Sequence, residues 1–169
     1  MAELTQDQEV KTAIEAAEAF VTSYYPALNR LSGLKDLSTF YVKNDPSSPL
    51  KPDISLNGNL ITDTTELETV FERQPAKTHY EVLSFDCHTL NSNYNVGAPN
   101  DLLEMNKLGK KMSILVMVSG SVRYGEGGET KGFTDNVVLV PNWELFGKSP
   151  KNNLKKKWLV QTQKLRVVF

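Results

Sequence analysis

Two parts of the sequence hold residue types that could do chemistry. The first runs from His79 to His88 and contains Asp86, Cys87 and His88. On a strand, Asp86 and His88 stand two positions apart and share a face. Such a pair can act as a general base if it sits in a pocket that tunes its pKa. The plainer reading is a strand end that uses polar residues for solvation and turn bonding. Cys87 is the single cysteine. No histidine is placed by sequence to activate it, so it reads as a small hydrophobe rather than a nucleophile. One thiol cannot form an internal disulfide, and no Cys/His cluster has zinc-ligand spacing. No glycine loop that could cradle a phosphate precedes a helix. Catalytic residues, metal and cofactor are therefore not expected, and the chain reads as no enzyme.

The second part is a pair of lysine-rich segments. Lys107, Lys110 and Lys111 fall in one, and Lys148, Lys151, Lys155, Lys156 and Lys157 in or beside the other. Each lysine could neutralise one phosphate, giving salt-sensitive, sequence-independent contact with RNA. Alternatively these are charged, solvated loops. Trp143 and Phe146, in the second segment, read as anchors onto the body. The formal net charge is −1, so a strong whole-surface field for nucleic acid or anionic lipid is not expected.

The elements that position these residues follow from periodicity. Val10, Ala13, Ile14, Ala17, Phe20, Val21, Tyr24, Tyr25 and Leu28 recur at helical spacing. Thr5 and Gln8 fit a capping box, and Pro26 should kink or end the helix. A short helix fits Leu34, Leu37, Phe40 and Tyr41. Asn44–Pro52 reads as a loop. Asp53–Ile61 reads as an edge strand or hairpin around Asn57-Gly58-Asn59. Asp63 and Glu66 fit a capping box for a helix carrying Leu67, Val70 and Phe71. Strands follow at Thr78–Leu90, Met112–Tyr124, Phe133–Pro141 and Trp158–Phe169, with long loops at about 91–111 and 142–157. Helices first and then a run of antiparallel strands is the α+β order. The length of 169 residues fits a single domain over 1–169.

No apolar run approaches the roughly 20 residues of a transmembrane helix, so membrane insertion is not expected. The polar, acidic start is not expected to be a signal peptide. The lone cysteine suits a reducing compartment.

Met112–Val122 is apolar on both faces. One face must pack on the helices. The other, with Leu115, Met117 and Ser119, has no remaining element to cover it. An open face of this kind is a candidate protein interface; long loops folding back over it are the alternative.

A set of short segments carries a resemblance. They are Ala16-Ala17-Glu18-Ala19-Phe20-Val21 with Tyr24-Tyr25, Leu37 with Phe40-Tyr41, and Leu56-Asn57-Gly58-Asn59. Asp86-Cys87, Gly120-Ser121-Val122, Gly132-Phe133 and Leu165-Arg166 follow. On these residues, which span most of 10–168, the chain resembles the nuclear transport factor 2 superfamily. Within it, the chain is most similar to the small subunits of heterodimeric messenger-RNA export receptors.

The resemblance implies a cone in which N-terminal helices pack on a curved, mostly antiparallel sheet. It implies a non-enzymatic subunit that pairs through its open sheet face with the related domain of the receptor's large subunit. The pair would meet phenylalanine-glycine repeats of nucleoporins. The implied location is the nucleus and nuclear pore, with shuttling to the cytoplasm. Met117, Asn136 and Lys164 match interface positions of superfamily dimers, and Arg166 matches an arginine that pairs with a partner carboxylate. By strand alternation Leu115, Ser119, Thr134, Val138 and Thr162 join that face. Phe133, Val137, Leu139, Leu165 and Val167 then point inward. The superfamily also houses isomerases and dehydratases with a base inside the cone, for which Asp86, His88 and His79 are the candidates here.

The sequence departs from the family in places. An acidic loop position used to bind the small GTPase Ran falls at Asn57, and the second acidic region keeps only Glu126 and Glu129. Direct Ran binding is therefore not expected. The last strand is entered through Gln161-Thr162-Gln163 instead of an Asn/Asp-rich run. The enlarged 91–111 loop points to a fungal-type protein.

Overall fold

The computed structural model describes residues 5–103, 109–146 and 156–168. Helix α1 spans Gln6–Leu28 and opens with the expected capping box: the Gln8 amide donates to Thr5 Oγ1 at 3.2 Å and the Thr5 amide to Gln8 Oε1 at 2.9 Å. Its buried stripe is Ala13, Ala16, Ala17, Phe20, Val21, Tyr24, Tyr25 and Leu28. Val10 and Ile14, expected in that stripe, are exposed at 51% and 43%. The helix packs chiefly on the edge strand of the sheet, which leaves one flank of its first turns overhanging. Pro26 does not end the helix, which continues to Leu28. Proline this close to a C-terminus removes little of the ladder.

The single short helix expected near Leu34–Tyr41 is two pieces, α2 at Leu31–Leu34 and a 3-10 turn at Leu37–Phe40. Strands β1, Asp53–Leu56, and β2, Asn59–Ile61, form the expected hairpin. Its turn residues Asn57 (φ 51°) and Gly58 (φ 84°) are both left-handed, as a tight hairpin requires. Helix α3 covers Thr65–Glu72 and buries Leu67 and Phe71. Asp63 does not cap it in the expected way: Thr64 is the cap position, and Asp63 Oδ1 instead accepts the Thr65 amide at 3.0 Å in a local turn.

Four long strands complete the sheet: β3, His79–Asn91; β4, Ser113–Arg123; β5, Thr130–Pro141; and β6, Trp158–Val167. The order is β2-β1-β6-β5-β4-β3, antiparallel throughout except for the β1–β6 pair. The core lies between the helices and one face of this sheet, with Val116, Val118, Val122, Phe133, Val137, Leu139 and Leu165 directed into it. At Gly120 a Cβ would stand 2.1 Å from the Glu81 carbonyl oxygen and 2.6 Å from the Phe133 ring. Only glycine fits where β3, β4 and Phe133 converge.

A bulge between Val82 and Ser84 breaks the regular alternation read for β3. Tyr80 and Val82 keep the inward phase, opposite Val122 and Gly120. Beyond the bulge the inward phase passes to Phe85 and Cys87, opposite Val118 and Val116.

Candidate partner interface

The strand registers assemble the expected face residues into a lattice. Leu115 pairs with Val138, and Val138 with Thr162. Met117 pairs with Asn136, and Asn136 with Lys164. Ser119 pairs with Thr134, and Thr134 with Arg166. Three positions on each of β4, β5 and β6 therefore form one continuous patch on the side of the sheet away from the helices. Paired positions on antiparallel neighbours share a face, so the patch follows from backbone register alone. Met117 is 38% exposed, Leu115, Val138 and Thr162 are half-buried, and the other five are exposed.

The two cations of β6 differ. Lys164 Nζ bonds Asp53 Oδ1 at 2.8 Å, which places Asp53 of β1 beside the patch. Among the described residues, Arg166 has no carboxylate at ion-pair distance. Its guanidinium passes over the β1–β2 turn, where a Cβ at Gly58 would be 3.4 Å from Nη1. Asn57 is used by the fold: its Oδ1 accepts the Val167 amide at 2.7 Å.

Asp86 and His88 are not inside the cone. They stand opposite Met117 and Leu115, and both are exposed. The bulge at Leu83 shifts this half of β3, so these two residues extend the patch onto the edge strand. His79, opposite Arg123, is exposed as well. All three stand on the outer side of β3, away from the core. Cys87 is half-buried on the inner side, and burial, with Asp86 and Glu18 nearby, pushes its thiol pKa up.

Among the described residues, the lysines of the two segments differ in their settings. Lys111, expected in an exposed loop, is buried, so it is withdrawn from the RNA-contact set. Lys156 lies 4.6 Å from the Phe40 ring centroid in a cation–π contact. Lys110 and Lys157 are exposed. Lys107, Lys148, Lys151 and Lys155 lie outside the described residues. Trp143 anchors its segment: the indole donates to the Val96 carbonyl at 2.9 Å and the ring packs 5.3 Å from Phe146.

A buried polar cluster escaped the sequence reading. Asp135 falls in the inward phase of β5, between Phe133 and Val137, and is fully buried. Its Oδ2 accepts from the Tyr25 hydroxyl at 2.8 Å and from Gln163 Nε2 at 3.0 Å. Gln163 Oε1 accepts from the Tyr41 hydroxyl at 2.5 Å, and Gln163 Nε2 also donates to the Tyr24 hydroxyl at 3.1 Å. The Tyr24 and Tyr41 hydroxyls are 2.5 Å apart. Among the described residues, Asp135 Oδ1 has no hydrogen-bond partner. Burial pushes the Asp135 pKa up to about 6, against the pull of the Gln163 and Tyr25 hydrogen bonds. Burial also raises Tyr25 and Tyr41 well above the usual phenol range. A carboxyl and three phenols could in principle move protons, but all five side chains are sealed from solvent. The arrangement fixes α1 to β5 and β6. The signal that could have found it is a lone acid in the buried phase of a strand.

No family model matches the sequence, and no curated protein matches it. Solved structures do. A Sac3N peptide bound to Mex67:Mtr2 is similar at 26% identity and a TM-score of 0.79, over 93% of this chain and 99% of that one. The Chaetomium thermophilum Mex67 NTF2-like domain complexed with Mtr2 is similar at 29% identity and a TM-score of 0.78, with the same coverage. A putative scytalone dehydratase from Novosphingobium aromaticivorans shares the fold at 12% identity and a TM-score of 0.55, over 98% of this chain and 89% of that one. The chain has the nuclear transport factor 2-like α+β fold, with N-terminal helices over a curved six-stranded sheet.

Proposed function

We propose that this chain is the small, non-enzymatic subunit of a heterodimeric messenger-RNA export receptor. It pairs through its open sheet face with the nuclear transport factor 2-like domain of a Mex67-type large subunit. The carrying observation is the lattice of outward residues on β4, β5 and β6, in a chain similar along nearly its whole length to structures of Mtr2 with Mex67. Leu115, Met117 and Val138 form the apolar centre. Ser119, Thr134, Asn136 and Thr162 supply hydrogen bonds around it, and Lys164 and Arg166 set charge at one side. An obligate pair of this kind should bury about 2,000 Å² or more. The pair acts in the nucleus and at the pore, shuttles to the cytoplasm, and meets nucleoporin phenylalanine-glycine repeats as a unit. RNA contact through Lys110 and Lys157 is auxiliary to it.

The test is titration calorimetry of the full chain against a Mex67-type domain. Met117→Asp would place an unpaired charge in the apolar centre and should weaken pairing at least about a hundredfold. Undiminished affinity in Met117→Asp, with the fold intact by circular dichroism, would overturn the assignment of this face.

A further inference from the structure

Strand β3 ends the sheet. Among the described residues it pairs with β4 alone. In an antiparallel ladder, backbone groups alternate between the neighbouring strand and the opposite side. The phase on β3 is fixed by Tyr80, whose amide donates to Asn29 Oδ1 at 2.7 Å and whose carbonyl accepts from Asn29 Nδ2 at 2.9 Å. Both groups therefore face the free edge. Tyr80 stands opposite Val122, and the same phase of β4 carries Val118, Val116 and Ile114, opposite Phe85, Cys87 and Thr89. The backbone groups of these three residues face the free edge too. The Cys87 amide is held by Asp86 Oδ1 at 2.8 Å. Among the described residues, no backbone group outside the sheet bonds to Phe85 or Thr89.

Edge strands are commonly blunted by such side-chain caps, bulges and charges. Here the caps stop at Tyr80 and the Cys87 amide. The side chains along the remaining stretch are not protective. Phe85 points inward yet is 39% exposed. Helix α1 runs antiparallel to β3: its C-cap Asn29 meets Tyr80, and Glu18 lies beside Cys87. The one-turn stripe Glu18, Ile14, Val10 therefore continues along the edge past Cys87, and Ile14 and Val10 are exposed. Apolar surface and unpaired backbone lie side by side. Glu18 and Asp86, both acting on the Cys87 thiol, add negative charge.

We propose that the edge of β3 from Phe85 to Thr89 binds an extended peptide segment carrying alternating apolar and basic side chains. The segment joins the sheet as a further strand. Its backbone satisfies the Phe85 and Thr89 groups, and its apolar side chains cover Phe85 and Ile14. Its basic side chains, on the opposite side of the added strand, face Asp86. Strand addition at an open edge takes affinity from the main chain and specificity from alternate side chains. The site lies on the edge of the sheet beside the face patch, and its test on the chain alone does not depend on the pairing reading.

The test uses the full chain and a fluorescent synthetic peptide alternating valine with lysine and threonine. A second peptide is N-methylated at alternate residues, which removes the ladder donors but keeps the side chains. A third replaces lysine with glutamate. The parent peptide should bind, N-methylation should weaken it about tenfold or more, and the glutamate peptide should bind more weakly than the parent. Asp86→Lys, at an exposed position of β3, should invert the order of the charged peptides. Amide exchange at Phe85 and Thr89 should slow on binding. Equal affinity for the parent and N-methylated peptides, or no binding of the parent, would overturn the proposal.

Discussion

The Tyr25 hydroxyl donates to Asp135 Oδ2 at 2.8 Å, joining α1 to the middle of β5 through a carboxyl with no access to water. Because burial raises the Asp135 pKa from 3.8 to about 6, the native state binds its proton more tightly than the unfolded chain. The stabilisation from the neutral acid is full below the unfolded value. It is lost as pH rises through about 6. Exposed acids such as Asp45 and Asp63, whose pKa values are lowered by local hydrogen bonds, act in the opposite sense. The difference between the wild type and Asp135→Asn isolates the effect. Asp135→Asn should gain on the wild type by up to about 3 kcal/mol between pH 4 and 6. Urea midpoints across that range measure it, and parallel pH profiles would refute the assignment.

Gln163 holds the cluster together, bonding Asp135, Tyr24 and Tyr41 at once. Gln163→Leu preserves bulk and removes every one of these partners. Three buried polar groups then lose bonds that no water replaces, at a cost of about 2–4 kcal/mol. Tyr41→Phe deletes one hydroxyl and should cost about 1–2 kcal/mol. Thermal melts of the two variants rank them, and Gln163→Leu should melt lower.

Much of the outer sheet face was legible because strand alternation has an invariant period. Once β4, β5 and β6 were located, Met117, Asn136 and Lys164 had to share a side, and the registers set them in one row. Asp86 and His88 show the limit. A one-residue bulge at Leu83, for which the local sequence carries no signature, turns the rest of β3 over and moves both away from the interior. Asp135 was readable in its phase but not in its partners, since Tyr25 and Gln163 meet it only through the tertiary fold. Val10 and Ile14 obey helical periodicity, yet periodicity does not say where a helix overhangs its sheet. Lys111 sits in a polar stretch and is buried all the same.

Gly120 gives a test of the packing between β3 and β4. A methyl group there meets the Glu81 carbonyl at 2.1 Å and the Phe133 ring at 2.6 Å, so either the strand pair or the ring must shift. Gly120→Ala should cost about 3 kcal/mol. Gly120→Ala combined with Phe133→Leu should recover part of that loss if the ring is the obstacle. A double-mutant cycle by urea denaturation measures the coupling, and strict additivity would place the strain at the Glu81 carbonyl alone.

Lys164 and Arg166 point the same way from β6 but should behave differently. Lys164 is already paired with Asp53, and both side chains are about half exposed at 45% and 53%. Such a pair contributes at most about 1 kcal/mol, so Lys164→Ala should change neither the melting temperature nor partner affinity by much. Arg166 has no carboxylate at ion-pair distance among the described residues, so its charge is available to a partner. Arg166→Ala should leave the melting temperature of the isolated chain unchanged. It should weaken pairing with a Mex67-type domain by about 2–4 kcal/mol, because it strands the opposing carboxylate in the contact. The excess loss should appear in the dissociation rate measured by surface plasmon resonance. Equal and small effects from the two substitutions would remove Arg166 from the interface.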